Sequence, residues 1–134
     1  MNKEDFVTYD QAKTLKELGF DWECTHGYYM FNDKEPWLNT CGYAKNTIGG
    51  DFFYYSAPTL AQAQKWLREV KGIALNIDAH DGGFYQWEEI YLPNAQEYEG
   101  YVHYDVTQYP TYEEALSEGI DRVLELLVST KNNE

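Results

Sequence analysis

The pattern Thr-x-x-Gln or Thr-x-x-Glu occurs three times along this chain, and each time an alanine follows it. The three stretches read "TYDQA", "TLAQA" and "TYEEA", and they begin at Thr8, Thr59 and Thr111. In such a capping box the Thr hydroxyl accepts a hydrogen bond from a first-turn N–H, and the later side chain reaches back to the cap backbone. The pattern therefore predicts three helices, over residues 9–18, 60–71 and 112–128.

The segments between these helices are typical of strands. "GYYMF" and "FFYY" are short and aromatic, whereas "IALNIDA", "FYQWEEIYL" and "YVHYDVTQY" in the second half alternate or are rich in β-forming residues. The last three are predicted to form an antiparallel meander, while residues 32–50 have no pattern that assigns them to an element. The order α-β(β)-α-β-β-β-α indicates an α+β two-layer domain with three capped helices on an antiparallel sheet.

The loop "DGG", Asp81 to Gly83, sets the register of the first hairpin in that meander. A three-residue loop ending in a left-handed glycine pairs Ile77 with Trp87. The same register pairs Ala79 with Tyr85 and Ile73 with Tyr91. Leu75 opposite Glu89 is the pair that does not fit an apolar face. Because side chains alternate along a strand, Asp78 and His80 are predicted to face away from the core.

Size and composition indicate one ordinary domain. The chain has 134 residues, of which 43% are hydrophobic and 17% aromatic, so it can bury enough surface to fold as a single domain over 1–134, with residues 130–134 frayed. No apolar signal or membrane-spanning run occurs, so we expect a soluble, cytoplasmic protein. Cys24 and Cys41 are expected to be reduced and partly buried, since two cysteines are too few for a disulfide framework or a zinc site.

The net charge of −13 is concentrated in one part of the chain. Met1 to Lys71 is nearly neutral, whereas Gly72 to Asp121 contains eleven acidic residues and no Lys or Arg. Direct binding to nucleic acid or to an anionic membrane needs Lys or Arg on the contact face, so neither is expected. This acidic, tyrosine-rich surface either solubilises the protein or binds a protein partner with a basic surface, through Asp78, Glu88, Glu97, Glu99, Tyr98, Tyr101 and Tyr109.

Two Asp/His pairs raise a further hypothesis, a small metal-dependent enzyme. Its candidate ligands would be Asp78, His80, His103 and Asp105. The four side chains would need to lie on one sheet face, yet in a meander the central strand separates the outer two by roughly 9.5 Å. No phosphate loop or nucleophile elbow is present, and the sequence predicts no catalytic residue and no cofactor.

Three stretches carry a resemblance to a family: "VTYDQAKTLKELGF", "YYSAPTLAQAQKWLREVKGI" and "YPTYEEALSEGIDRVLELL". Together they resemble small proteins of unassigned function encoded by gut-bacterial (Bacteroides-type) genomes, prophages and phages. The resemblance implies an accessory protein of phage or mobile-element type, and it brings no catalytic residue. The leading hypothesis is thus a non-enzymatic interaction protein. The alternatives are a nucleic-acid mimic that inhibits a DNA-binding protein and the metal enzyme, and the sequence does not indicate an oligomeric state.

Overall fold

A computed structural model describes residues 2–31, 34–41, 52–92, 102–104 and 106–132. The chain forms two compact units, Met1–Thr59 and Leu60–Glu134. Each unit has its own antiparallel sheet and its own buried apolar residues. The α+β class is confirmed, whereas the single domain stays a prediction.

The first unit contains one helix and a three-stranded sheet. A 3-10 turn at Lys3–Asp5 precedes α1 (Tyr9–Glu17), β1 (His26–Phe31), β2 (Trp37–Thr40) and β3 (Phe52–Ser56). The strand order is β2-β1-β3, with both pairs antiparallel. Strand β2 lies inside the segment to which the sequence pattern assigned no element, and it adds one strand to the predicted order.

The predicted capping box of α1 is confirmed. Thr8 Oγ1 accepts from the Gln11 N–H at 3.1 Å, and Gln11 Oε1 accepts from the Thr8 N–H at 2.8 Å. Gly19 follows the helix with φ +100, a left-handed conformation that a residue without a Cβ adopts readily. The helix therefore begins and ends close to the predicted residues.

The second unit contains two helices and the predicted meander. Its elements are α2 (Leu60–Val70), β4 (Ile73–His80), β5 (Phe84–Tyr91), β6 (Val102–Tyr104) and α3 (Tyr112–Asn132). The strand order is β4-β5-β6, and α3 packs against β4 and β5 while α2 packs against β4 and α3. Helix α3 extends beyond its predicted end, so residues 129–132 are helical although the last residues were predicted to fray.

The hairpin register predicted from "DGG" is confirmed. Ile77 pairs with Trp87, and the ladder runs from Ile73 opposite Tyr91 to His80 opposite Phe84. Gly83 has φ +83, and its N–H donates to the His80 carbonyl at 2.9 Å, which closes the turn.

Close packing between α3 and the sheet defines the inner face of the second unit. A Cβ placed on Gly119 would lie 2.7 Å from Leu75 Cδ1 and 3.2 Å from Trp87 Cγ, so the glycine lets the helix approach the strands. Leu75 and Trp87 are 1% and 5% exposed. None of the helices in the described ranges is long and apolar enough to span a bilayer.

Candidate functional site

The opposite side of the second sheet, which we call the outer face, carries polar side chains. Asn76, Asp78 and His80 alternate with the inward residues of β4, and all three are exposed. On β5 the half-buried Gln86 and Glu88 lie opposite Asp78 and Asn76. Asp78 and His80 therefore face away from the core, as the register predicts.

Hydrogen bonds hold part of the outer face in place. Asn76 Nδ2 donates to Glu88 Oε1 at 3.3 Å, and Gln86 Nε2 donates to the Val106 carbonyl at 3.0 Å. No such bond orients Asp78 among the described residues, and its side chain is exposed. From Gly72 to Asp121 the sequence supplies no Lys or Arg that could neutralise this face.

The His80 ring lies at the end of the hairpin, against the ring of Phe84. The two ring centroids are 4.6 Å apart and the planes differ by 9°, which is a stacked arrangement. His80 is exposed and Phe84 is half-buried. The imidazole thus covers apolar surface at the hairpin end.

The structure places the two histidines of the predicted Asp/His pairs on opposite faces of the second sheet. His103 pairs with Glu89, and its ring lies 5.6 Å from that of Trp87, so it belongs to the inner face. Asp78 and His80 lie on the outer face, two strands away, and Asp105 lies outside the described residues. Within the described ranges no group of three His, Cys, Asp or Glu side chains is placed to hold a metal ion.

The predicted interaction residues divide into three sets. Asp78 and Glu88 share the outer face. Tyr109 exchanges two backbone hydrogen bonds with Tyr85, each at 2.9 Å, and the pairing of Tyr85 with Ala79 assigns both tyrosines to the inner side. The structure therefore does not bring Tyr109 to the outer face. The other four predicted residues, Glu97, Tyr98, Glu99 and Tyr101, lie outside the described residues.

The inner face contains a buried carboxyl group that the sequence did not lead us to predict. Glu89 is 2% exposed, and the Tyr91 hydroxyl donates to its Oε2 at 2.6 Å. Glu89 Oε1 and Trp87 Nε1 are both buried without a hydrogen-bond partner among the described residues. The signal was present in the sequence, because the predicted register already placed Glu89 opposite the inward Leu75.

The two cysteines lie together in the first unit. Cys41 Sγ donates to the Cys24 carbonyl at 3.0 Å and lies 2.9 Å from Tyr54 Oη in a second hydrogen bond. Cys41 is exposed, which corrects the expectation of partial burial. Burial, and to a lesser extent the Cys41 thiol, raises the pKa of the Cys24 thiol to about 11. Cys24 is therefore protonated at neutral pH and is not a nucleophile there.

A groove in the first unit, with a volume of about 430 Å³, lies beside the N-terminal segment. Lys3, Phe6, His26 and Trp37 contribute to its walls, and the Phe6 and His26 rings are 4.6 Å apart. Its described walls offer aromatic surface, an ammonium group and an imidazole, but no carboxylate. The groove thus assembles no carboxylate–histidine pair for acid–base chemistry.

Comparison with known proteins found no matching family model, no matching curated protein and no matching solved structure, so the function has to be inferred from the site itself.

Proposed function

We propose that this protein is a non-enzymatic accessory protein, of phage or mobile-element type, which binds a protein partner through the outer face of its second sheet. The partner would present Lys or Arg to that face. The observation that carries the proposal is the pairing of an exposed polar sheet face with a sequence segment, Gly72 to Asp121, that has no cation.

The difference between the apolar inner face and the exposed, polar outer face supports this proposal. Helix α3 packs against β4 and β5, and the residues that meet it are apolar, such as Leu75 and Trp87. The outer residues Asp78 and His80 are exposed, so they contribute little to the core of this unit. Carboxylates arranged without neutralising cations produce a field that attracts a basic partner and repels nucleic acid.

Charge reversal on the outer face tests the proposal. The probe is a fluorescent heptapeptide in which Lys alternates with Val, and binding is measured by fluorescence anisotropy at about 50 mM salt, where screening is weak. We expect Asp78→Lys combined with Glu88→Lys to weaken binding about tenfold or more, because four units of charge change at the contact.

A single reversal on α3 is the matched control. Glu125 is exposed on that helix, so Glu125→Lys makes the same kind of change away from the outer face. It should weaken binding by less than about 1.5-fold, since α3 lies against the inner face and Coulomb attraction to the peptide falls with distance. Equal weakening per charge by the control and by the outer-face variant would show that the peptide responds to net charge alone.

Competition with DNA distinguishes the proposed function from the alternative, a nucleic-acid mimic. A mimic occupies the basic cleft of a DNA-binding protein, so duplex DNA should release any host protein that the wild-type chain captures and the outer-face variant does not. Retention of that protein in the presence of DNA would exclude the mimic and leave the binding of another basic surface.

A further inference from the structure

Strand β4 lies at the edge of the second sheet, so half of its backbone groups point away from β5. The Gly72 carbonyl accepts from the Leu92 N–H at 2.7 Å, and in an antiparallel ladder hydrogen-bonded and non-bonded pairs alternate. The bonded residues of β4 are therefore the even-numbered ones, including Asp78. The N–H and C=O groups of Ile77 and Ala79 point outward, away from the sheet.

The first half of this edge is closed by α2. Gln64 Nε2, on that helix, donates to the outward carbonyl of Leu75 at 2.6 Å. The second half differs, because Ile77 and Ala79 make no edge hydrogen bond with any described residue. Ile77 is half-buried and Ala79 is exposed, and their two donors and two acceptors have no edge partner among the described residues.

In the edge strand β2 of the first sheet, side chains bond to the outward backbone groups. Thr40 is one of its outward residues, since the Cys41 N–H bonds to the Thr25 carbonyl across the ladder. Asn39 Oδ1 accepts from the Thr40 N–H at 2.8 Å, and the Tyr29 hydroxyl donates to the Thr40 carbonyl at 2.9 Å. Side chains thus satisfy an edge residue of β2, as Gln64 does at Leu75, and protect it from pairing with another chain. Ile77 and Ala79 lack that protection among the described residues.

We propose that an extended basic segment of the partner adds to β4 as a new edge strand, bonding to Ile77 and Ala79 and placing a Lys or Arg opposite Asp78. This rests on the proposed function and specifies how the partner binds. Strand addition uses main-chain hydrogen bonds for affinity and alternate side chains for specificity. Opposite Asp78 the added side chain lies on the outer face, on the same side of the sheet as the Glu88 carboxylate of β5.

A second copy of this chain is a poorer occupant of the same edge. Antiparallel pairing that uses all four open groups must place Ile77 of one copy opposite Ala79 of the other. That register places Asp78 directly opposite its own equivalent, and like charges in cross-strand pairs are destabilising. Shifting the register by one pair of residues leaves only Ile77 or only Ala79 bonded. The charge at position 78 therefore favours a basic segment over self-association.

The test compares the Lys/Val heptapeptide with a version methylated on the backbone nitrogens of its Val residues. Val is the residue that would bond to Ile77 and Ala79 when Lys faces Asp78, so methylation removes the donors without changing charge. We expect methylation to weaken binding about tenfold or more, because the two hydrogen bonds from the peptide to the Ile77 and Ala79 carbonyls are lost together.

A substitution in the protein tests the same edge hydrogen bonds by removing a donor from β4. Ala79→Pro removes an outward N–H, and proline is tolerated where a strand's N–H faces away from the ladder. Ala79→Val is its matched control, since it adds similar bulk and keeps the N–H. We expect the proline variant to bind the unmodified peptide about tenfold more weakly than the valine variant. Far-UV circular dichroism of both variants checks that the fold is retained.

The outcomes separate this inference from the proposed function. Sensitivity to charge reversal at Asp78 and Glu88, combined with indifference to methylation and to Ala79→Pro, would overturn strand addition and leave the acidic face as the binding site. Indifference to charge reversal, or no binding at about 1 mM peptide, would overturn both, because such weak affinity is below that of specific recognition. A wild-type dimer that Ala79→Pro dissociates would identify a second copy as the occupant instead.

Discussion

The inner and outer faces of the second sheet are built from the same three strands, yet adjacent residues of β4 have opposite environments. Leu75 is 1% exposed and packs against α3 at Gly119, whereas Asn76 and Asp78 are exposed. Strand geometry alone produces this division, since successive side chains point to opposite faces. Stability and binding should therefore be separable by substitutions on the two faces of one strand.

The largest effect is expected from Leu75→Ala. Removing a buried leucine side chain leaves a cavity next to α3, which should lower the free energy of unfolding by about 3 kcal/mol. Urea unfolding followed by circular dichroism measures this change. Asp78→Ala is the control on the outer face and should change stability by less than about 0.5 kcal/mol. A comparable loss of unfolding free energy in both variants would show that the two faces contribute equally to stability.

The next effect concerns the buried hydrogen bond between Tyr91 and Glu89. Tyr91→Phe removes the donor to Glu89 Oε2 and should lower the free energy of unfolding by about 1–3 kcal/mol, because a buried acceptor loses its partner. Adding Glu89→Leu removes the buried acceptor as well, so the double variant should be more stable than Tyr91→Phe alone. Additive losses in the two single variants and the double variant would mean that the carboxyl group is satisfied elsewhere.

A smaller loss is expected for Gly119→Ala. Alanine is favoured in a helix by about 1 kcal/mol, but its Cβ would lie 2.7 Å from Leu75 Cδ1. Overpacking should outweigh the helix preference, giving a net loss of about 1 kcal/mol in urea unfolding. In the Leu75→Ala background the two closest contacts are removed and only the 3.2 Å approach to Trp87 Cγ remains, so the same substitution should cost less. A loss of equal size in both backgrounds would argue against this contact.

The smallest effect is expected for Glu88→Ala on the outer face. This residue accepts one 3.3 Å hydrogen bond from Asn76, and surface bonds of this kind contribute less than about 0.5 kcal/mol. The thermal midpoint should therefore stay within about 3 °C of the wild-type value. The same variant should weaken binding of the Lys/Val heptapeptide, which would sharpen the distinction between a face that stabilises and a face that binds. Marked destabilisation would show that Glu88 also supports the fold.

The elements with local signals could be predicted from the sequence. The hairpin at Asp81–Gly83 encodes its own turn and strand alternation, and the Thr8 and Thr111 caps lie within three residues of the N–H groups that they accept from. Strand β2 could not be predicted, since it has four residues and its partner β1 is reached only after the chain folds. Non-local pairing of a short strand leaves little pattern in its own residues.

The candidate site was only partly predictable for a similar reason. Asp78 and Glu88 follow from the hairpin register, which a three-residue turn fixes. The face of His103 does not, because the connection from β5 to β6 is long and sets no register. The burial of Glu89 contradicts the general preference of carboxylates for water, and only its mismatch with Leu75 indicated it.

The lack of Lys and Arg between Gly72 and Asp121 has a practical consequence for experiments on the second sheet. Trypsin cleaves after Lys or Arg, so all three strands remain in one fragment from Gly72 to Arg122 even when the chain is unfolded. Amine-reactive cross-linkers and labels cannot modify these strands either. Coupling the protein to a surface through its lysines leaves the side chains of the outer face chemically untouched, whereas carboxyl-directed reagents can modify the exposed Asp78.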